Sequence, residues 1–372
     1  MNQAHGSQPS VDGPDRIMQL TWGFAPPQIL NTALELDVFT HVAAGRNSPG
    51  ALQQATGAAP RGLDMLLDAL VALGFLTKGS EQLVMSEAVA EIRDGKRRVV
   101  HRATTPGPTA TRLQNAADVD RFLVRGRDTY LGDFVQLHVR RLHEGWRQLT
   151  QCVRTGRPVE AVERPQAGVP LWHELVDTLF PLNHAAATAL ARELKRLHPA
   201  AALRVLDVAA GSGVWGLASA QLDPTTHVVA FDLPETLPHV RAAAQRLALT
   251  DQVELRGGDL REASLGEREF DVVILGHICH SEGAEHTQAL LRQTARALVH
   301  GGTLAIAEFL PDDDRRGPPL PLMFALNMLV HTTDGNTFTV AQFRSWLEQC
   351  GFADVRTLEV PAPSPLILAT RS

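Results

Sequence analysis

The residues with chemical potential cluster where short apolar runs end. The segment Val205-Leu206-Asp207-Val208-Ala209-Ala210-Gly211-Ser212-Gly213-Val214-Trp215-Gly216 reads as a strand closing on an acid, then a glycine turn that opens a helix. Such a turn lets backbone approach a nucleotide-like ligand closely. Its glycines also spell G-x-G-x-x-G, so a dinucleotide is one candidate. Against that, Asp207 stands four residues before Gly211. A carboxylate there suits a cationic ligand and repels a pyrophosphate.

Further acids follow at the ends of later apolar runs. Asp232, before Leu233, comes about twenty residues after the glycines, where an acid accepts ribose hydroxyls. Asp259, before Leu260, follows the next run and is placed to meet an adenine. The fourth run ends at Gly276-His277-Ile278-Cys279-His280 and the fifth at Glu308. Three acids in register with a glycine loop favour S-adenosylmethionine (AdoMet) over a nicotinamide cofactor. Cofactor contacts are therefore expected from Asp207, Gly211, Gly213, Asp232, Leu233, Asp259, Leu260 and His277.

These residues need an open α/β sheet, in which ligands bind beyond the carboxyl ends of the strands. The runs RVLDVA, HVVAFDL, QVELRGGDL, FDVVILGH and GTLAIAEF alternate with helical segments, the clearest being Leu237–Ala248 and Ala284–Val299. That alternation predicts a parallel, doubly wound sheet. VRTLEV and PLILAT are separated only by Pro361-Ala362-Pro363-Ser364, too short for a crossover, so they must pair antiparallel.

Upstream the pattern is helical. Residues 1–15 read as disordered. Ser48-Pro49 is a helix start, and 60–73 is a helix with Leu63, Leu66, Leu67 and Leu70 on one face, closed by Gly74. Two short strand-like pieces, 75–77 and 82–85, then suggest a winged helix. A DNA-reading role is disfavoured, because the would-be recognition helix sets Arg61 against Asp64 and Asp68. Residues 101–118 read as a loop, and 130–153 as a helix. The stretch 160–170 is the expected boundary, which gives domains at 16–165 and 166–372.

The 372 residues suffice for two cores, and a hydrophobic content of 44% with 20% charged residues is ordinary for a globular protein. A net charge of −6 gives no reason to expect nucleic acid or an anionic membrane as partner. Cys152, Cys279 and Cys350 are widely spaced and read as reduced thiols, which points to the cytoplasm. No signal-like or membrane-spanning run is expected.

With these motifs in hand, the chain resembles the class I AdoMet-dependent small-molecule O-methyltransferases, of the plant caffeate and bacterial polyketide type. LDVAAGSG, FDLPETL, GGDL, ILGHICHSE, GGTLAIAEF and TVAQFRSWLEQCGF carry the resemblance across nearly the whole chain. It implies a mainly α-helical winged-helix dimerisation domain ahead of a Rossmann-like AdoMet domain, a homodimer, and a small-molecule acceptor. It also implies that His280 is the catalytic base and Glu308 its partner. Met323, Asn327, Met328 and His331, on a helix over the cleft, would line the acceptor pocket. Three departures stand out. The family's His-Asp-Trp reads His280-Ser281-Glu282, its second glutamate falls at Thr337, and a lysine near the cofactor is replaced by Gly276.

The chemistry explains the residue types. A neutral hydroxyl is a poor nucleophile, and an imidazole can take its proton as the new bond forms, typically worth ~10²–10⁴ in rate. A carboxylate on the other ring nitrogen would fix the tautomer. The competing reading is C-methylation of a 2-oxo acid or tetrapyrrole, with His280, His331 and nearby His277 holding a divalent metal. O-methylation with no resident metal is the expectation carried forward.

Overall fold

A computed structural model describes residues 13–93, 96–159, 165–199 and 202–372. Most of the segment expected to be disordered, residues 1–12, lies outside the described residues. Two compact units divide between Val139 and Arg140. That is earlier than the composition at 160–170 suggests. The reason is local: Trp146 Nε1 donates to Asn327 Oδ1 at 3.0 Å, tying residues of the 140s to the second unit.

The first unit begins with helices Asp15–Thr21, Ala25–Glu35, Val38–Ala43, Pro49–Thr56 and Pro60–Ala72. Ser48 caps its helix by accepting from Ala51 N at 3.3 Å, with Pro49 at the first helical position. Gly74, at φ +79°, turns the chain out of helix Pro60–Ala72, and Phe75 N closes back on Leu70 O. Leu63, Leu67 and Leu70 from that helix are buried among Leu34, Phe39, Leu52, Leu76 and Leu113. Each such leucine contributes about 1.5–3 kcal/mol by leaving water.

Strands β1 (Leu76–Arg93) and β2 (Lys96–Asn115) then pair antiparallel along their length. The pair is far longer than the two short pieces expected, and it converts most of 101–118 from loop to strand. Pro106 and Pro108 obscured this in the sequence. Both strands of a two-stranded ribbon are edge strands, where proline is tolerated. The ladder shifts register between Gln82 and Val84 and between Met85 and Ser86.

In the second unit, helix Pro165–Leu197 precedes a seven-stranded sheet. Its strands are β3 (Arg204–Val208), β4 (His227–Asp232), β5 (Val253–Gly257), β6 (Phe270–Gly276), β7 (Leu298–Ala307), β8 (Phe352–Leu358) and β9 (Leu366–Arg371). They lie in the order β5-β4-β3-β6-β7-β9-β8. All neighbours are parallel except β9, which runs antiparallel to both β7 and β8, the second as the short link at 359–365 requires. Val205, Val228, Val272 and Ile274 face one buried cluster, while Leu206, Val229, Val273 and Leu275 face the other. Both sheet faces are therefore covered, as a parallel sheet requires.

The strand order reverses at β3. From it the sheet grows through β4 on one side and β6 on the other, which opens the crevice where ligands bind in this fold. Among the described residues, no helix is long and apolar enough to cross a membrane.

Candidate active site

The glycine turn after β3 is built from left-handed backbone: Ala209, Gly211 and Gly213 have φ of 51°, 55° and 74°. A Cβ on Gly213 would lie 2.9 Å from Val240 Cγ1, so this position needs glycine for both space and conformation. At Gly211 the nearest neighbour of such a Cβ is Ala209 O at 3.9 Å, which leaves the turn open on that side.

Asp207 is tucked beneath the turn rather than displayed. It is 1% exposed, and its Oδ2 accepts from Gly216 N at 2.8 Å, in the first turn of helix Val214–Leu222. Its Oδ1 is buried with no hydrogen-bond partner. Burial, and to a smaller degree the charge of Asp232, push the Asp207 carboxyl up to about 7, despite the Gly216 N–H. Asp232, at the end of β4, accepts from Gly211 N and from Leu233 N, both at 2.7 Å, and burial raises it too. The two acids thus organise the loop from below and from the side, and Leu233 stands 39% exposed beside them.

Of the three remaining expected cofactor contacts, His277 lies just beyond β6, and Asp259 and Leu260 sit differently. Asp259 is exposed and its Oδ1 accepts from Arg261 N at 2.8 Å, closing a turn. Leu260 packs against the core cluster on one face of the sheet.

These features fit AdoMet. The turn is open at Gly211, an orphaned carboxylate oxygen lies under it, and a second carboxylate sits at the adjacent strand end. Among the described residues, Gly211, Leu233 and Gly216 bond the two acids through backbone N–H groups, which leaves their negative charge uncompensated by a basic side chain.

Beyond β6 the chain makes two unusual turns. His277 has φ +62°, a left-handed conformation rare outside glycine, and its N–H bonds Ala307 O at 2.9 Å. Helix Cys279–Ala297 begins at once but is broken at Gly283 (φ 74°, ψ 176°). A Cβ there would lie 2.6 Å from Asp334 O. Glycine therefore lets the segment at 334–336 close onto the first turn, where Asn336 N donates to His280 O at 2.8 Å.

That isolated turn carries His280. Its Nδ1 lies 2.7 Å from Glu308 Oε2, and its N–H donates to Glu308 Oε1 at 3.1 Å. Glu308 is 4% exposed. Burial, the largest single influence, would raise its carboxyl, but the charge and hydrogen bonds of His280, helped by His277, outweigh it and leave it below the usual carboxylate range. An ionised Glu308 accepts Nδ1–H, so the lone pair of His280 is left on Nε2. Thr337 Oγ1 is buried and makes no hydrogen bond. The histidine is oriented by one carboxylate.

The surrounding rings were not read from the sequence. Phe324, on helix Pro319–His331, meets the His280 ring edge-on at 4.9 Å and lies 4.1 Å from Phe309. Phe309 in turn is 5.3 Å from His277. Adjacency of Phe309 to Glu308, and the four-residue spacing of Phe324 from Met328, were the available signals. Trp215 lies over Gly276: a Cβ on that glycine would be 2.3 Å from Trp215 Cδ1. The family lysine has no room here, and its place is taken by an indole from the glycine-loop helix.

The four residues expected to line an acceptor pocket separate. Met323 is 51% exposed and Met328 buried. Asn327 is bonded by Trp146. His331 packs closely on Gly145, where a Cβ would meet its Cε1 at 2.6 Å. Among the described residues, the group close enough to gather a metal ion is His277, His280 and Glu308, with ligating atoms within 4.8 Å of one another. The histidine at 331 is not part of it. As they stand, His280 and Glu308 are spent on each other, and a metal would have to break that bond.

A family model for the O-methyltransferase domain matches residues 179–353, and one for the O-methyltransferase dimerisation domain matches residues 18–93. The chain is 30% identical to the tetracenomycin polyketide synthesis 8-O-methyl transferase of Streptomyces glaucescens, over 97% of this chain and 98% of that protein. It is 28% identical to the 3-hydroxy-5-methyl-1-naphthoate 3-O-methyltransferase of Streptomyces sahachiroi, over 96% of this chain and 95% of that protein. Human N-acetylserotonin methyltransferase, solved in complex with AdoMet, shares the fold with a TM-score of 0.75, at 23% identity over 98% of this chain and 100% of that one.

Proposed function

The chain belongs to the O-methyltransferase family and is an AdoMet-dependent O-methyltransferase, and we propose that it methylates a hydroxyl of a small, fused-ring aromatic secondary metabolite with His280 as general base. The observation that carries this reading is the 2.7 Å bond from His280 Nδ1 to the buried Glu308 carboxylate. It leaves Nε2 able to receive a proton and holds the ring at one orientation. The flat rings of Phe309 and Phe324 beside it suit an aromatic acceptor. Both bacterial relatives act, by name, at oxygens of polyketide-type or naphthoate compounds. C-methylation of a 2-oxo acid or tetrapyrrole is not favoured.

AdoMet, when bound, supplies an activated methyl group whose leaving group needs no acid. Asp232 and Leu233 would hold its ribose side, Asp259 and Leu260 its adenine side. Gly211 and Gly213 would give backbone access, and Asp207 would keep the loop in place. His280 then withdraws the acceptor proton onto Nε2 while Glu308 stabilises the imidazolium that forms. Of the residues expected at the acceptor wall, Met323 is exposed and would meet the acceptor, whereas Met328 is buried and Asn327 and His331 are held by the helix His143–Trp146.

The same reading includes a homodimer. Within the stretch matched by the dimerisation model, Leu20, Trp22 and Phe24 are 72%, 60% and 61% exposed, a patch that a second copy would cover. Three unpaired cysteines favour a reducing compartment such as the cytoplasm. The decisive experiment is turnover of AdoMet against phenols, naphthols, 2-oxo acids and tetrapyrroles. Methylation confined to carbon, or to the last two classes, would overturn the proposal.

A further inference from the structure

His277 is unexplained by a single general base. It sits at the end of β6 in a left-handed conformation, with φ +62°, that disfavours a residue other than glycine. Its Nδ1 is buried with no hydrogen-bond partner. A buried polar atom left unpaired is destabilising, because it gives up its hydrogen bond to water for nothing. The unpaired nitrogen, on a residue held at this angle within the site, points to a ligand that pairs it.

The direction in which it would act follows from its neighbours. A ring nitrogen of His277, one of His280 and a carboxylate oxygen of Glu308 lie within 4.8 Å of one another. Phe309 lies 5.3 Å from the His277 ring and 6.2 Å from that of His280, bridging the two imidazoles with an apolar floor. Phe309 also meets Phe324, from helix Pro319–His331, with the rings tilted by 32°. The unpaired histidine therefore belongs to the ring cluster around the proposed base. Burial also holds it down to about 4, so at neutral pH it is an uncharged imidazole that can donate from one nitrogen and accept at the other.

We propose that His277 is a second oxygen-binding group of the acceptor pocket, and that the enzyme selects acceptors bearing another oxygen on the carbon adjacent or peri to the methylated hydroxyl. The inference rests on the reading of His280 as the base that meets that hydroxyl. Two imidazoles whose ring centres lie 6.1 Å apart, each forming a hydrogen bond of about 2.8 Å, can hold two neighbouring oxygens of one rigid ring system but not two on opposite edges. His277 keeps the neighbouring oxygen in place while His280 takes the proton of its partner. It is a positioning and specificity group and needs no charge of its own.

The test pairs acceptors that differ by one oxygen: 1-naphthol with 1,8-dihydroxynaphthalene, and 2-naphthol with 2,3-dihydroxynaphthalene. Affinity is measured by calorimetry on enzyme saturated with S-adenosylhomocysteine, and kcat/KM is measured with AdoMet. Wild type should favour the dioxygenated member by about tenfold, the value of one well-made hydrogen bond. His277→Gly removes the ring at a backbone angle natural to glycine, so it should fold. Its preference should fall to within about twofold, whereas His277→Asn, which tolerates the same angle and keeps a polar side chain, should retain part of it. Equal affinities in wild type, or an unchanged preference in His277→Gly, would overturn the inference. A preference that vanishes with chelator and returns with a divalent cation would overturn it too, by making His277 a metal ligand. An enzyme that methylates naphthols without preference keeps the proposed function and loses only this inference. One that neither binds nor methylates them loses both.

Discussion

The carboxylate of Glu308 grips His280 twice: Oε2 lies 2.7 Å from the ring Nδ1, and Oε1 accepts the residue's own N–H at 3.1 Å. Ring and backbone of this helical residue are therefore located by one side chain just beyond β7. At 337, where the resemblance leads one to expect a second glutamate, the chain has a threonine whose buried Oγ1 makes no hydrogen bond. Two bonds to one rigid group restrict an imidazole about as effectively as one bond to each of two groups, provided the acid itself is fixed. Glu308 is fixed by burial at the end of β7.

His280→Ala should lower methyl transfer by ~10²–10⁴ while leaving AdoMet affinity within a few-fold. Glu308→Gln should cost less, because an amide oxygen can still accept from Nδ1. Steady-state kinetics with a true acceptor, together with AdoMet calorimetry, separate the two effects. A His280→Ala enzyme of near-full activity would show that transfer proceeds by alignment alone.

Asp232→Ala should weaken AdoMet binding by ~1.5–3 kcal/mol, the range for a hydrogen bond to a charged group. Part of that loss arises within the protein, because Gly211 N and Leu233 N lose their acceptor. Asp232→Asn keeps one acceptor oxygen and should recover part of the affinity. Binding of NAD tighter than that of AdoMet by wild type would contradict the cofactor assignment.

Gly283→Ala should damage catalysis from a distance. The new Cβ would meet Asp334 O at 2.6 Å, at a backbone angle that disfavours alanine. The 334–336 segment must then withdraw, and with it the Asn336 hydrogen bond to His280 O. A fall in kcat at nearly constant AdoMet affinity is expected, with stability lower by about 1–3 kcal/mol by thermal denaturation.

What the sequence displayed was whatever has a short-range signature. The Asp207 strand, its glycines and the acids at later strand ends were legible, because a parallel sheet writes each strand as an apolar run with its functional residue at the end. The antiparallel finish followed from a four-residue link. The β1–β2 ribbon was hidden by its two prolines, since a sequence cannot say which strands are edges. The ring cluster was hidden for another reason. Phe309 meets Phe324 through tertiary packing, and no spacing rule relates a strand end to the middle of a later helix. Asp207 showed its type but not its direction: the carboxylate faces Gly216 N rather than the open side of the loop.

Two buried groups of this site should give the folded protein opposing responses to pH. Asp207 is raised from 3.8 to about 7, so the folded state binds the extra proton; its contribution is fully present below 3.8 and is lost as pH rises toward 7. His277 is lowered from 6.5 to about 4, so the unfolded state binds the extra proton; its contribution is fully present above 6.5 and is lost as pH falls toward 4. Between pH 4 and 6.5 the two slopes, each up to about 1.4 kcal/mol per pH unit, nearly cancel. Wild-type stability, followed by urea denaturation, should therefore be less pH-dependent across this window than that of either single variant. Asp207→Asn should leave a protein that weakens toward acid, and His277→Gly one that strengthens toward acid. The double variant should return to a shallow profile. Identical slopes in wild type and both single variants would show that neither group carries its burial as an unpaid electrostatic cost.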